Sequence, residues 1–205
     1  EPHLNCQILF ERSESDGHIV SETTHTNGDE STCPIAEVPD NATLLARGLR
    51  PLGFACEVAT ETVVQEGLSS DRHITLRTLM VYGDGYGNVT RSVDQGVTEV
   101  GGGACGACDR TTGAFGSPCG NQCLGDERVV ESSYVPNTST DGRWLLDKIA
   151  SERTFGTEDG TGLFAEKLHH YDGADFVGLP VGQLTQGKLS RVVTRVDDGK
   201  SIETQ

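Results

Sequence analysis

Residues Tyr82 to Asp94 read YGDGYGNVTRSVD, and this stretch is expected to organise the fold around it. Three glycines among its first six residues predict a tight turn, because glycine adopts positive φ angles at little cost. The segment from Asn88 to Asp94 alternates apolar and polar side chains, which is typical of a strand. The stretch therefore predicts a hairpin turn that leads into a strand.

Within this turn, Asp84, Tyr86 and Asn88 have the alternate spacing of a calcium-binding loop. Such a loop also needs a glycine at its centre and a glutamate at its twelfth position. The glycine is displaced here, and Gln95 stands where the glutamate is required. A tight turn is the better interpretation.

The neighbouring segments alternate in the same way and predict a mainly β chain. Phe54–Val64 and Arg72–Tyr82 both place apolar or β-branched side chains on one face. With Asn88–Asp94 they predict an antiparallel meander whose last hairpin is closed by Gly-Asp-Gly. Further strands are predicted at Glu127–Val135, Leu163–Tyr171 and Lys188–Val196.

The region around Trp144–Phe155 gives conflicting signals, with helical spacing of its apolar residues in a surrounding of strands. Toward the N-terminus, Cys6–Phe10 predicts a short strand, and Glu11–Cys33 predicts a long exposed loop with one weak strand. Asn41–Leu49 predicts one or two helical turns behind a capping asparagine. The expected division is a loop-rich β segment over residues 1–70 and an antiparallel sheet region over residues 71–205.

Composition excludes several classes of function. The 205 residues carry a net charge of −15, which disfavours nucleic acid and anionic membrane surfaces, because both are bound through cationic side chains. No apolar run approaches the roughly 20 residues of a membrane span. The 26 glycines predict many turns. Without an initiator methionine or a signal peptide, the sequence is expected to be a piece of a longer protein.

A glycine- and cysteine-rich insert at residues 101–125 contains four of the seven cysteines, namely Cys105, Cys108, Cys119 and Cys123. Disulfides are the favoured interpretation, which implies a secreted protein, and Cys105–Cys123 with Cys108–Cys119 is one possible pairing. The alternative is a structural zinc ion held by the four thiolates. No other cofactor is expected.

No recognised catalytic motif occurs, so the chain is predicted not to be an enzyme. The strongest candidate site is His169 and His170 with Asp172 and Asp175. Adjacent histidines on a strand point to opposite faces, so they cannot easily share one ion. Ordinary sheet residues are therefore the better interpretation.

Two stretches resemble motifs of the RHS-repeat family. YGDGYGNVTRSVD resembles the tyrosine–aspartate repeat Y-D-x-x-G-N-V-T, and HHYDGADFVGLPVGQLTQGKLSR, from His169 to Arg191, resembles a segment of the B component of bacterial Tc insecticidal toxins. GDERVVESSYVPN and GRWLLDKIASERTFG are similar to the strand pairs between those motifs. The resemblance covers roughly Ile74 to Val196. It departs from the motif at Gly83, so either Asp84 supplies the carboxylate or the register differs.

The resemblance implies a wall of long antiparallel sheets that encloses another domain. It favours a strand over a helix at Trp144–Phe155, and it implies that Tyr82, Tyr86 and Tyr171 are stacking and turn-forming residues of that wall. The structural motif residues would be Tyr82, Asp84, Tyr86, Gly87, Asn88, Tyr171, Asp172, Gly178, Pro180 and Gly182.

The function predicted from these observations is that of a non-catalytic fragment of a secreted or toxin-associated shell. Its partners would be the rest of a larger polypeptide or other shell subunits, and sheet edges would seek such partners. Two alternatives remain: a small disulfide-stapled module that binds a glycan or a protein, and an enzyme with a dispersed site around His169, Asp172 and Asp175.

Overall fold

The computed structural model describes residues 10–28, 46, 56–65, 73–101, 106–114, 123–136, 145, 147–196 and 201–204. These residues form eleven strands: Phe10–Ser15 (β1), His18–Asn27 (β2), Glu57–Gln65 (β3), His73–Tyr82 (β4), Val89–Val100 (β5), Gly106–Ala107 (β6), Arg128–Tyr134 (β7), Ile149–Phe155 (β8), Leu163–Tyr171 (β9), Leu189–Val196 (β10) and Ser201–Thr204 (β11).

All eleven strands belong to one antiparallel sheet with a simple order. The strands follow one another as β1-β2-β3-β4-β5-β7-β8-β9-β10-β11, and the two-residue β6 pairs with the end of β5. Each strand therefore pairs mainly with its neighbour along the chain, which is the commonest arrangement of consecutive strands. The mainly β, antiparallel prediction is confirmed, and the sheet runs without interruption from the first 70 residues into the rest.

Most predicted strands lie within a residue or two of their observed bounds. The ambiguous segment before Phe155 forms strand β8 from Ile149 onward, so the interpretation as a strand is confirmed for that part. Cross-strand pairing explains the outcome, because β8 is hydrogen-bonded to β7 on one side and to β9 on the other. Tertiary pairing of this kind outweighs a local preference for helix. Trp144 lies outside the described residues.

The prediction for Glu11–Cys33 was wrong over most of its length. Residues Phe10–Ser15 and His18–Asn27 form an antiparallel hairpin, with Asp16 and Gly17 at its turn and a register shift between Ser13 and Glu14. Both turn residues have positive φ angles, of 51° and 78°, as an Asp-Gly hairpin turn requires. The polar composition concealed these strands, because β1 is exposed throughout and no residue of β2 is buried. Of the predicted helical turns at Asn41–Leu49, only Ala46 is among the described residues, and it is helical. The start of the Cys6–Phe10 run lies outside the described residues.

The register divides side chains between two faces of the sheet. One face carries Tyr82, Tyr134 and Tyr171 and is called the tyrosine face below. The opposite face, called the charge face, carries a row that crosses five strands: Arg91, Glu131, Arg153, Glu166 and Arg195 are each directly opposite the next in register. Acid and base alternate along this row, and opposite charges across adjacent strands stabilise a sheet.

Few apolar side chains are buried among the described residues, and they lie at several separate places along the sheet. Val93 and Val129, which are opposite one another in register, are 6% and 0% exposed. At the far end of the sheet, Val135, Ala150 and Tyr171 form a buried cluster against Leu184. A thin core of this kind agrees with the low hydrophobic content of the chain.

Candidate functional site

Three tyrosines make the same long-range hydrogen bond. Each is the last residue of its strand, and its hydroxyl donates to the backbone carbonyl of the first residue of the preceding neighbour in the sheet. The bonds are Tyr82 Oη to Glu57 O at 2.8 Å, Tyr134 Oη to Val89 O at 2.9 Å, and Tyr171 Oη to Ile149 O at 2.9 Å. Strands β4, β7 and β9 run in the same direction, so the three bonds line one end of the sheet.

The environment of these hydroxyls keeps them protonated. Burial, followed by the charge of Glu57, raises the pKa of Tyr82 above its ordinary value of 10.0. Burial likewise raises the pKa of Tyr134 and of Tyr171, with a smaller contribution from the carboxylate of Glu152 to both. Protonated phenols are hydrogen-bond donors. The row therefore ties strand ends together, and a phenolate for nucleophilic or base chemistry is disfavoured.

The turn after Tyr82 is organised by Asp84. Its Oδ1 accepts the backbone N–H groups of Tyr86 and Asn88 at 2.9 and 3.2 Å, and its Oδ2 accepts the side-chain amide of Asn88 at 2.5 Å. These are the bonds of an aspartate-stabilised turn. Asp84 thus supplies the carboxylate of this turn. Gly87 has a φ of 85°, and the half-buried Tyr86 lies inside the turn.

The turn after Tyr171 is organised by Asp172, which accepts a larger set of bonds. Its Oδ2 receives the backbone N–H groups of Thr185, Gln186 and Gly187 at 2.6, 2.8 and 3.0 Å and the Thr185 hydroxyl at 3.2 Å. Its Oδ1 receives the N–H of Lys188 at 2.9 Å. Asp172 is only 8% exposed. One carboxylate therefore closes a loop of more than twelve residues, and this arrangement is called the Asp172 clasp below.

Two opposing effects set the protonation of Asp172. Burial alone would raise its pKa, but the four backbone N–H groups bind the charged form and together bring the pKa well below the ordinary value of 3.8. A carboxylate held in this way is a poor proton acceptor. The backbone around it is equally fixed, because the N–H of Asp172 donates to the carbonyl of Lys188 at 2.7 Å.

The loop between Asp172 and Lys188 bends around the end of the sheet. The N–H of Leu179 donates to the carbonyl of Tyr171 at 2.8 Å, and the carbonyl of Leu179 lies 3.0 Å from Nδ1 of His170. Gly178 has a φ of 70°, and a Cβ there would lie 2.6 Å from Cβ of His170. Gly182 has a φ of 82° with open space around it. The motif glycines thus differ: one is packed and the other is not.

Pro180 lies between these glycines and belongs to a turn, because its carbonyl accepts the N–H of Gln183 at 3.0 Å. On the other side of the loop, Leu184 packs into the cluster of Val135, Ala150 and Tyr171. The ordered bonds and this apolar contact make the whole motif a structural cap on the sheet.

The residues of the candidate enzyme site make separate contacts. His169 contacts Glu152 on the tyrosine face, with Nε2 3.2 Å from Oε2, whereas His170 faces the other way toward Leu179. The prediction that the two histidines point to opposite faces is confirmed. Asp172 is occupied by the clasp, and Asp175 is exposed. Within the described part of the chain, no three His, Cys, Asp or Glu side chains are grouped so as to hold a metal ion.

A disulfide joins Cys108 to Cys123 within the insert, with a sequence separation of 15. Closing a loop of this length stabilises a fold by about 3 kcal/mol in the chain-entropy account. The pairing differs from the one named above, Cys105–Cys123 with Cys108–Cys119. A four-thiolate zinc site also loses two of its ligands, since disulfide sulfurs are not thiolates. Cys105 and Cys119 lie outside the described residues.

Arg110, in the insert, joins three elements on the charge face. Its guanidinium donates to Oε1 of Glu127 at 3.0 Å and to the carbonyl of Gln95 at 2.7 Å, and it lies 3.8 Å from Glu158. The Glu127 side chain is 4% exposed, so the arginine neutralises a buried carboxylate. Glu158 also accepts the side-chain amide of Gln95 at 2.7 Å.

Sequence reasoning missed Tyr134 and Arg110. Tyr134 ends an alternating segment, as Tyr82 and Tyr171 do, and that shared position was the available signal. Arg110 gave no signal, because its partners lie on β5, before β7 and after β8, and only the fold brings them together.

Comparisons with models of protein families, with curated proteins and with solved structures found no match. None of the helical structure in the described ranges has the length and hydropathy of a membrane span.

Proposed function

We propose that this chain is a non-catalytic wall segment of an RHS-type shell that encloses or presents another domain, in a secreted or toxin-associated protein. The observation that carries the proposal is the repeated tyrosine bond at one end of a single continuous sheet. Each bond fixes two neighbouring strands relative to each other. Three such bonds in a row stiffen the end of the sheet, where strand ends would otherwise separate.

The two tyrosine–aspartate turns support a structural role for the motif residues. The carboxylates of Asp84 and Asp172 accept hydrogen bonds from backbone N–H groups, and the tyrosine hydroxyls donate to backbone carbonyls. Groups satisfied in this way hold a shape, and they are poorly placed to bind or transform a substrate. The Cys108–Cys123 disulfide supports secretion, because disulfides persist in oxidising compartments.

The coding sequence that surrounds this chain provides the first test. A shell wall needs many such segments, so we expect further tyrosine–aspartate repeats upstream or downstream in the same reading frame. A stop codon directly after Gln205 with no repeats upstream would contradict the wall and favour the disulfide-stapled binding module.

A second test uses the full-length protein that contains this chain. Limited proteolysis of the protein carrying Asp172→Ala should cleave the enclosed domain faster than in the native protein, because the wall opens at the clasp. Asp175→Ala, which changes an exposed aspartate four positions from Tyr171, is the matched control and should leave the rate unchanged. Equal protection in all three proteins would contradict the proposal.

A further inference from the structure

The two outermost strands of the sheet, β1 and β11, each have a single neighbour among the residues that the structure describes. Every residue of both strands is exposed. A strand with unpaired N–H and C=O groups along one side is a ready template for another strand. These two edges are therefore the surfaces of the sheet that are best suited to main-chain pairing with a partner.

The direction of the strands determines which partner fits. The path from β1 to β11 contains ten strands, and every adjacent pair on it is antiparallel. The two outer strands consequently run in opposite directions. If a second copy is placed beside the first in the same orientation, its β1 lies antiparallel to β11 of the first, and the alternation continues without a break.

Charge on the two edges is complementary. Arg12 on β1 and Glu203 on β11 both belong to the charge face, and their side chains are 42% and 55% exposed. An antiparallel alignment that sets Arg12 opposite Glu203 keeps the two faces of the copies continuous. A slip by one residue would turn these side chains to opposite faces.

The same alignment extends a pattern that already exists inside the sheet. Arg12 lies 3.6 Å from Glu22 on β2, and Glu203 lies 2.5 Å from Arg191 on β10. Across the junction the side chains would read Glu22, Arg12, Glu203, Arg191. This is the alternation of acid and base seen within the molecule between Arg91 and Arg195.

From these observations we infer that the chain associates with a second copy of itself head to tail, through antiparallel pairing of β11 with β1. The inference rests on the proposed wall function and names how one wall segment joins the next. Because the two contact surfaces differ, the contact is heterologous, so copies add to an open row or close into a ring.

Charge reversal at the edges gives a specific test by sedimentation over a range of protein concentrations. The native chain should form dimers and longer species as concentration rises. Arg12→Glu and Glu203→Arg should each weaken self-association by about tenfold or more, because each variant sets like charges opposite one another. An equimolar mixture of the two variants should regain association, because every junction between unlike molecules is complementary.

Arg128→Glu is the matched control. Arg128 is an exposed arginine on the interior strand β7, so its reversal makes the same change in net charge away from both edges, and association should be unchanged. Circular dichroism confirms that each variant retains its sheet.

Two results would overturn the inference: a native chain that is monomeric at every concentration, or variants whose mixture associates no better than each alone. Neither result contradicts the proposed wall function, which is tested separately by searching the surrounding coding sequence for repeats. A monomeric chain flanked by such repeats would mean that the segments join within one polypeptide.

Discussion

The two tyrosine–aspartate turns look alike in sequence but stabilise the sheet over different distances. In the first, Asp84 bonds to groups two and four positions along, all inside the turn. In the second, Asp172 reaches 13 to 16 positions along and closes a long loop over the end of the sheet. The shared feature is the preceding tyrosine, which in both cases bonds to a neighbouring strand.

This difference shows that the motif has two separable parts. The tyrosine ties one strand to the next, and the aspartate fixes whatever connection follows it. A short connection needs only a local turn, whereas a long one needs an acceptor buried deeply enough to hold several N–H groups at once. The following changes separate the two parts.

Removing the two carboxylates should have the largest and most unequal effects. Asp172→Ala should lower the free energy of unfolding by about 3 kcal/mol, because four backbone N–H groups lose their acceptor near the buried cluster. Asp84→Ala should cost only about 1 kcal/mol, since water can reach its half-buried turn. Urea unfolding of both variants measures the difference. Equal losses would mean that the clasp is no more important than the local turn.

Substitution of the two motif glycines of the second turn, Gly178 and Gly182, should lower stability by different amounts. Gly178→Ala should destabilise the fold by about 2 kcal/mol or more, because a Cβ would lie 2.6 Å from Cβ of His170 in addition to the positive φ. Gly182→Ala meets open space and carries only the cost of its φ, about 1 kcal/mol. Thermal unfolding of the two variants checks the order. A larger loss at Gly182 would contradict the close packing of Gly178 against His170.

Sequence reasoning reached the sheet, most strand positions and both turns, because alternation and glycine spacing are local signals. It missed the Phe10–Asn27 hairpin, whose polar strands carry no apolar alternation. It placed Asp172 in a motif, yet the donors of the clasp lie 13 to 16 residues away and could not be foreseen from spacing. The Cys108–Cys123 pairing could not be predicted from the sequence either, since four cysteines allow several connectivities.

Acid should weaken the clasp in a defined direction. The pKa of folded Asp172 is depressed, so its contribution to stability is present above the unfolded value of 3.8 and is lost as the pH falls below it. Between pH 7 and pH 3, the stability advantage of the native chain over Asp172→Asn should shrink by about 1 kcal/mol. Urea unfolding at both pH values tests this, with Asp175→Asn as the control. An advantage that grows in acid would contradict the clasp.

The smallest expected effect concerns the tyrosines, and it tests whether the shared part of the two turns is equivalent. Tyr82→Phe and Tyr171→Phe each remove one hydroxyl that donates to a backbone carbonyl, which costs about 1 kcal/mol in either position. The loss should be slightly larger at Tyr171, because its ring is 6% exposed and water cannot replace the missing donor there. Tyr134→Phe removes the third bond of the row, and we expect its cost to resemble that of Tyr82→Phe, since both rings are half-buried.

If the double variant of Tyr82 and Tyr134 loses more stability than the sum of the losses in the two single variants, the bonds act cooperatively along the end of the sheet. Simple additivity would mean that each tyrosine stabilises only its own pair of strands, and the stiffness of the row would then be the sum of independent ties.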